Sequence, residues 1–239
     1  TLCPTPSTAD QVLAMLDLCC ADAFDQAPQR YGFRPGPLWQ QEQAEMQRLL
    51  EALLRAECAD NGEKPRFQPF LQEFGFGIDG EHPSALLTDA DGRSIRVRGM
   101  IDRIDRDRAD GLRIIDYKSG SSAHSRPDIM AGRSVQTAVY ALAAEQLLDS
   151  GTVEQSADLH LPTRKPSGKI VGAKAEDREL LKTVIHVLNE TVENIRSGRF
   201  PNAPGKIGQN GACSTWCDLA DICRVSRQSL YKGRKLLDD

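Results

Sequence analysis

The most informative part of the sequence is GMIDRIDRDRADGLRIIDYKSG, residues 99–120. Alternating apolar residues predict one strand that contains Asp102, and LRIIDYK (112–118) predicts a second, central strand that ends in charged residues. Because side chains alternate along a strand, Asp116 and Lys118 are expected on the same face. Two carboxylates beside a lysine suit a hard divalent cation, and the lysine can orient or deprotonate a water that attacks a phosphate.

The sequence on either side of this segment predicts an α/β fold, with a mixed central sheet flanked by helices. Strands are predicted at 67–78, 85–88, 94–104, 112–118 and 153–161, and helices at 9–27, 38–59, 133–148 and 175–196. A Lys-, Pro- and Gly-rich loop is expected after residue 161. We predict three regions, which are an N-terminal helical segment (1–64), a core (65–200) and a Cys-rich C-terminal tail that packs on the core (201–239).

The charge is unevenly distributed along the 239 residues. The totals of 30 Lys and Arg against 34 Asp and Glu, a net charge of -4, would by themselves argue against nucleic acid as a partner. Residues 1–92, however, contain 6 basic and 15 acidic side chains, whereas residues 93–135 contain 10 basic and 6 acidic ones. Residues 224–235 add five basic side chains and no acidic one. The positive charge therefore lies with the predicted cation site and the tail, as a DNA-binding protein would need.

Seven cysteines are present, and Cys213, Cys217 and Cys223 lie within eleven residues of one another. The odd count and the lack of a secretory signal at the start disfavour a disulfide framework. Such close spacing favours a metal or cluster site instead, and three or four cysteines could hold zinc as well as an iron–sulfur cluster. No apolar run is long enough to span a membrane, so we expect a cytoplasmic protein without a membrane partner.

The motifs GMIDRID, IIDYKSG and QTAVYA resemble the nuclease core of the PD-(D/E)XK superfamily. More narrowly, they resemble its RecB-like exonuclease branch, at the C-terminus of AddB-type helicase–nuclease subunits. The resemblance implies a restriction-endonuclease-like core that binds Mg²⁺ or Mn²⁺. It assigns cation binding to Asp102, Asp116 and the Tyr117 carbonyl, catalysis to Lys118, and bracing of the lysine or contact with DNA to Gln136 and Tyr140. Glu73 lies where the family often has an acidic residue and is a further candidate.

The same resemblance implies a [4Fe–4S] cluster in the Cys-rich tail, with zinc as the alternative. The spacing here is C-x3-C-x5-C at Cys213, Cys217 and Cys223, and its first gap is one residue longer than the family's. Cys3, which precedes a proline as in the family, is the candidate for the fourth ligand. The family's early histidine has no counterpart, because His82 falls in a predicted loop and the other three histidines lie at the wrong places. We therefore expect either a C-terminal piece of a longer protein or a substitute residue.

The resemblance further implies a metal-dependent DNA exonuclease domain that hydrolyses phosphodiester bonds. An ATP-driven, AddA-like helicase/nuclease subunit would be its partner on DNA ends, in double-strand break repair and recombination. The chain contains no G-x-x-x-x-G-K-[ST] motif of its own, so the partner would supply the ATPase. Two alternatives remain open, which are a stand-alone RecB-like or CRISPR-associated iron–sulfur nuclease, and an inactive DNA-binding or scaffolding module of the same fold. The missing early histidine favours the inactive module.

Overall fold

A mixed five-stranded sheet forms the centre of the fold in the computed structural model, which describes residues 2–78, 82–120, 124–148 and 152–199. The helices are α1 (Ala9–Tyr31), α2 (Pro37–Asn61), α3 (Arg126–Met130), α4 (Gln136–Leu147) and α5 (Ala175–Arg196). The strands are β1 (Gln68–Phe76), β2 (Ala85–Thr88), β3 (Ser94–Val97), β4 (Gly99–Arg106), β5 (Leu112–Lys118), β6 (Val153–His160) and β7 (Lys165–Val171). The predicted fold class, a mixed sheet flanked by helices, is confirmed.

The order of the strands in the main sheet is β1-β4-β5-β6-β7, and β2 and β3 form a separate two-stranded sheet. All neighbours in the main sheet are antiparallel except β5 and β6, which are parallel. A parallel pair requires a crossover, and the chain makes it through α3 and α4. As a result, β5 and β6 end side by side, with Asp116 and Lys118 next to Asp158 and His160.

Helix α4 packs closely on this sheet because its buried face consists largely of alanine. Ala138, Ala141 and Ala144 are at most 1 % exposed, and they belong to the same apolar core as Ile104 and Ile114 of the central strands. Dense packing of this kind leaves a helix little freedom to shift. The first residue of α4 is therefore held at a fixed position relative to the end of β5.

An ionic network connects helix α2 to the opposite face of the central strands. Arg103 of β4 is buried, and its guanidinium donates to Glu57 Oε1 at 2.6 Å and to Asp105 Oδ1 at 2.6 Å. It also donates to the hydroxyl of Tyr117 at 3.1 Å. Because Arg103 and Tyr117 directly follow Asp102 and Asp116 in the sequence, this network fixes the backbone of both strands next to the predicted cation ligands.

Three predicted elements differ from the structure. The strand predicted at 94–104 is two strands, β3 and β4, which separate at Arg98 and join different sheets. The loop expected after residue 161 contains strand β7, an edge strand in which Pro166 and Gly168 are tolerated because one side of the strand is unpaired. Helix α1 continues through Pro28 to Tyr31, since a proline so near the helix end disrupts few hydrogen bonds.

The chain divides into two compact units, Thr1–Glu190 and Thr191–Asp239. The main sheet and helices α1 to α4 belong to the first unit. The Cys-rich tail predicted at 201–239 lies outside the described residues, and the predicted boundaries of the three regions stay predictions. None of the helices in the described ranges combines the length and the apolar character that crossing a membrane requires.

Candidate active site

Four carboxylate residues form a row across four neighbouring strands of the main sheet. The register of β1 and β4 places Glu73 opposite Asp102. The last paired residues of β4 and β5 are Arg103 and Ile115. Continuing this antiparallel register by one residue places Asp102 opposite Asp116. The parallel register of β5 and β6 then places Asp116 beside Asp158. Residues that the sequence spreads over 86 positions therefore meet at one level of the sheet.

The carboxylate of Asp102 is oriented by the backbone of the neighbouring strand. Its Oδ2 accepts a hydrogen bond from the Tyr117 amide at 2.7 Å, at the point where regular pairing of β4 with β5 stops. Such a bond to a backbone amide fixes the side chain without using its second oxygen. Asp102 is half-buried and can present that second oxygen to a ligand.

Asp116, Lys118, Gln136 and Tyr140 form one connected group. The Lys118 ammonium forms an ion pair with Asp116 Oδ2 and donates to Gln136 Oε1 at 2.6 Å. The amide nitrogen of Gln136 donates to Asp116 Oδ1 at 2.9 Å and to the Tyr140 hydroxyl at 2.9 Å. A single glutamine side chain thus fixes the relative positions of the lysine, the aspartate and the tyrosine.

Gly99, the first residue of the GMID motif, makes room for the ring of Tyr140. A β-carbon at this position would lie 3.1 Å from both the Tyr140 ring and the Phe76 ring. These two rings pack edge to face, with 6.2 Å between their centres. A larger residue would therefore displace Tyr140, and with it the hydrogen bond from Gln136.

The electrostatics of the site are dominated by buried negative charge. Burial raises the pKa of Asp116, and the nearby charges of Asp102 and Asp158 add to this effect, although Lys118 opposes it. Burial alone would lower the pKa of Lys118, but the ion pair with Asp116 and the charges of Asp158 and Asp102 outweigh burial and raise it. The lysine is therefore a firmly held cation, and it is greatly outnumbered by carboxylates.

This donor set, which consists of carboxylate oxygens, fits a hard divalent cation. Carboxylate oxygens are the preferred ligands of Mg²⁺ and Mn²⁺, and the excess of negative charge over Lys118 needs a cation to balance it. Asp102 and Asp116, which are neighbours on β4 and β5, are the two carboxylates that could hold such an ion. The carboxylates of the row do not meet as tightly as a closed three-ligand site, in which the ligand atoms lie within 4.8 Å of one another.

Within the described part of the chain, that distance is met by a different group, Asp89, Asp91 and His186. The guanidinium of Arg93 already contacts all three, at 2.8 Å from Asp89, 3.3 Å from Asp91 and 3.0 Å from His186. A second cation would have to displace this arginine. We therefore assign the Asp89 group to the β2–β3 turn and not to a metal site.

Glu73 lies in β1 in an unusual conformation beside a large cavity. Its φ angle is +49°, which is rare for a residue with a side chain and is often found at functional sites. The cavity, of about 720 Å³, is lined by Glu73, Asp102 and Tyr117, and by apolar side chains of α1 and α2 such as Met15 and Leu54. Glu73 is exposed, and it lines this cavity together with Asp102.

The predicted cluster ligands are described only in part. Cys213, Cys217 and Cys223 lie outside the described residues. Cys3 is half-buried, and burial, with the nearby carboxylate of Glu57, raises the pKa of its thiol. A thiol must lose its proton to bind a metal, so Cys3 is not activated by its surroundings within the described part of the chain.

Sequence reasoning missed two residues of this region, Asp158 and His160. Both lie on β6 on the same face as Asp116 and Lys118, and His160 is the direct neighbour of Lys118. His160 is buried, with hydrogen bonds to the Gly120 carbonyl at 2.9 Å and to Ser167 Oγ at 2.7 Å, and its place late in the chain on β6 is not that of the family's early histidine. The available signal was a strand–helix–strand pattern, which predicts that β5 and β6 end next to each other.

Comparison with known proteins finds relatives and a family model that match this chain. A subunit of the ATP-dependent helicase/deoxyribonuclease of Alkaliphilus metalliredigens is 33% identical over 140 residues, which are 57% of this chain and 11% of that protein. The corresponding proteins of Pelotomaculum thermopropionicum and Clostridium botulinum are 34% and 30% identical over 52% and 62% of this chain. The matched segments thus span only about one ninth to one seventh of these relatives. A family model of the PD-(D/E)XK nuclease superfamily matches residues 1–224. The chain therefore belongs to the PD-(D/E)XK nuclease superfamily.

Proposed function

We propose that this chain is a metal-dependent deoxyribonuclease domain that hydrolyses phosphodiester bonds at DNA ends. The observation that carries the proposal is the joint contact of Gln136 with Lys118 and Asp116, directly beside Asp102. This arrangement places a fixed ammonium group next to a carboxylate pair suited to a divalent cation. Family membership supports hydrolysis of nucleic acid, and the names of the relatives support DNA as the substrate.

The cation would be held by Asp102 and Asp116, with the Tyr117 carbonyl as a further ligand and Glu73 as a fourth candidate. A bound Mg²⁺ or Mn²⁺ supplies Lewis acidity and lowers the pKa of a coordinated water. Asp102 keeps one oxygen for the cation while the Tyr117 amide holds the other. Asp116 would bind the cation and also pairs with Lys118, so it would fix the distance between the cation and the lysine.

Lys118 would orient the attacking water and balance negative charge on the phosphate as the new bond forms. Its ammonium donates to Gln136 Oε1, which limits the directions in which its remaining protons can point. Tyr140 fixes the glutamine from the other side. Gln136 and Tyr140 would thus be positioning residues that act through Lys118 and Asp116.

The role of Gln136 gives a prediction about rate. Gln136→Ala removes the bonds that orient Lys118 and Asp116, and we expect kcat to fall about tenfold or more, as for a misplaced catalytic group. Gln146→Ala is the matched control, since Gln146 is on the same helix and, among the described residues, bonds only to the backbone of Leu86. Single-turnover cleavage of labelled DNA measures both variants. An unchanged rate in Gln136→Ala would refute the positioning role.

The raised pKa of Asp116 gives a prediction about pH. The native, metal-free protein retains the Asp116 proton to a higher pH than an ordinary aspartate, whose pKa is about 3.9. Acidification therefore favours the metal-free form, and Mn²⁺ affinity is expected to start declining at a higher pH than for an ordinary aspartate ligand. Calorimetric titration of Mn²⁺ at several values between about pH 7 and about pH 4.5 measures this decline. A constant affinity over the whole range would contradict it.

Action on ends is tested with two DNA substrates of identical sequence. The proposal expects a linear duplex or single strand to be degraded in the presence of Mg²⁺ or Mn²⁺, while a covalently closed circle survives. Cleavage of both forms at equal rates would mean an endonuclease. Within a longer protein, we propose that the domain works with an ATP-driven, AddA-like helicase/nuclease subunit in the cytoplasm, during double-strand break repair and recombination.

The cysteines give a second, independent element of the proposal. We propose that Cys213, Cys217 and Cys223 bind a [4Fe–4S] cluster, with Cys3 as the candidate fourth ligand and zinc as the alternative metal. Anaerobic purification followed by visible absorption and metal analysis distinguishes the two. Brown protein with iron and sulfide supports the cluster, whereas colourless protein with zinc would overturn it.

A further inference from the structure

Asp158 of β6 is a buried carboxylate that the proposed mechanism does not use. It is 1 % exposed, and its Oδ1 has no hydrogen-bond partner among the described residues. Burial of a carboxylate oxygen without a hydrogen bond costs free energy, and replacement by a neutral residue would avoid that cost. Asp158 directly neighbours Asp116 on the parallel strand, and its side chain is on the same face of the sheet.

The surroundings of Asp158 offer it little compensation. A β-carbon added at Gly168 of β7 would lie 3.6 Å from both Asp158 Oδ2 and the Thr137 hydroxyl oxygen, and this hydroxyl also lacks a hydrogen-bond partner in the described ranges. His160, two residues further along β6, directs both ring nitrogens to other groups, Gly120 and Ser167. No hydrogen bond within the described part of the chain therefore explains why a charged group is present here.

Lys118 is the main positive charge near Asp158, and Asp116 is a negative one. Burial raises the pKa of Asp158, and Lys118 is the strongest of the neighbouring groups that oppose this effect. The influence is mutual, because Asp158 helps to raise the pKa of Lys118. Lys118 and Asp158 are thus electrostatic partners, although no direct ion pair joins them within the described ranges.

We propose that Asp158 is a positioning residue that holds the Lys118 ammonium in place during DNA cleavage. The inference rests on the proposed function. Asp116 has two tasks, because it pairs with Lys118 and is also a proposed cation ligand. When its carboxylate is directed to the cation, its attraction on the lysine is weakened. Asp158 then supplies a fixed negative charge on the same face, and Gln136 supplies the hydrogen bond, so that the lysine keeps its direction.

The test is Asp158→Asn, which preserves the shape of the side chain and removes its charge. We expect kcat to fall about tenfold, while the KM for DNA stays unchanged and the Kd for Mn²⁺ stays within about threefold. The melting temperature is expected to stay equal or rise, since a buried charge has been removed. A purely structural residue would show the opposite pattern, with lower stability and the same kcat for the folded protein.

Asp177→Asn is the matched control. Asp177 is also buried, but it pairs with Arg126 and accepts from the Val171 amide at 2.7 Å, at the start of α5. This control is expected to lower the melting temperature and leave kcat unchanged. If Asp158→Asn does not fold, Asp158→Ser, which is smaller and also neutral, is judged by the same criteria.

Two results would overturn the proposal. An unchanged kcat in Asp158→Asn would show that Lys118 needs no such partner. A loss of Mn²⁺ affinity of more than about tenfold would instead make Asp158 a cation ligand. Both results can be obtained only if the unaltered protein cleaves DNA. Failure of the proposed function is a different result, in which the unaltered protein shows no metal-dependent cleavage.

Discussion

Lys118→Ala is expected to lower the rate of DNA cleavage by at least about a thousandfold, which in most assays is complete loss. The lysine is the one cation that is held against the carboxylates at the end of β5, by an ion pair to Asp116 and a 2.6 Å bond to Gln136, within the described residues. Alanine removes the ammonium and leaves the carboxylates in place. DNA binding and Mn²⁺ binding are therefore expected to persist.

Lys182→Ala is a suitable control for this experiment. Lys182 is an exposed lysine of α5 whose ion pair in the described part of the chain is with Glu179 at 3.1 Å, and its removal changes the net charge by the same amount. Cleavage is measured under single-turnover conditions with Mg²⁺, and binding is measured separately by fluorescence anisotropy. Substantial cleavage by Lys118→Ala would show that the active site is elsewhere in the molecule.

The second large effect is expected for the proposed cation ligands. Asp116→Asn and Asp102→Asn each replace a carboxylate by an amide of the same size, which binds Mg²⁺ and Mn²⁺ much more weakly. We expect the affinity for Mn²⁺ to fall by more than about tenfold in each variant, and cleavage to be lost with it. Calorimetric titration with Mn²⁺ alone detects the change without depending on activity.

Asp91→Asn provides the matched control for this titration. It removes an exposed carboxylate from the group formed by Asp89, Asp91 and His186, whose charge Arg93 already balances. Its Mn²⁺ affinity is expected to equal that of the unaltered protein. The assignment of the cation site would be reversed if Asp91→Asn lost Mn²⁺ binding and Asp116→Asn retained it.

Much of the candidate site can be predicted from sequence because its central part is local. Asp116 and Lys118 share a face by strand periodicity alone, and Gln136 and Tyr140 share one by their spacing of four on a helix. The contact between Gln136 and Lys118 joins residues only 18 positions apart, through one crossover. Family resemblance placed these residues together, and the structure shows the contacts by which they meet.

Asp158 could not be predicted in the same way. It lies 42 positions after Asp116, and only the exact register of the parallel pair β5–β6 brings the two side by side. A slip of one residue would turn Asp158 to the other face of the sheet. Strand β7, which lies beside β6, could not be predicted either, because Pro166 and Gly168 weaken its strand pattern. The strand tolerates these two residues because it is at the edge of the sheet.

The Cys-rich tail illustrates a different limit. The spacing of Cys213, Cys217 and Cys223 is a pattern of ligand chemistry and not of folding, since loops that hold a metal need no apolar periodicity. The number and type of the metal depend on a fourth ligand that can come from anywhere in the chain. The spacing of the three cysteines therefore predicts a metal-binding site, but it does not determine whether the site binds zinc or an iron–sulfur cluster.

The most direct test of the account is cleavage of end-labelled linear DNA by the unaltered protein, with Mn²⁺ or with a chelator. We predict that short labelled products are released with Mn²⁺, that none are released with the chelator, and that excess Mn²⁺ restores the reaction. Intact DNA after prolonged incubation with folded, Mn²⁺-bound protein would contradict the account, and it would identify the chain as an inactive, DNA-binding or scaffolding member of its superfamily.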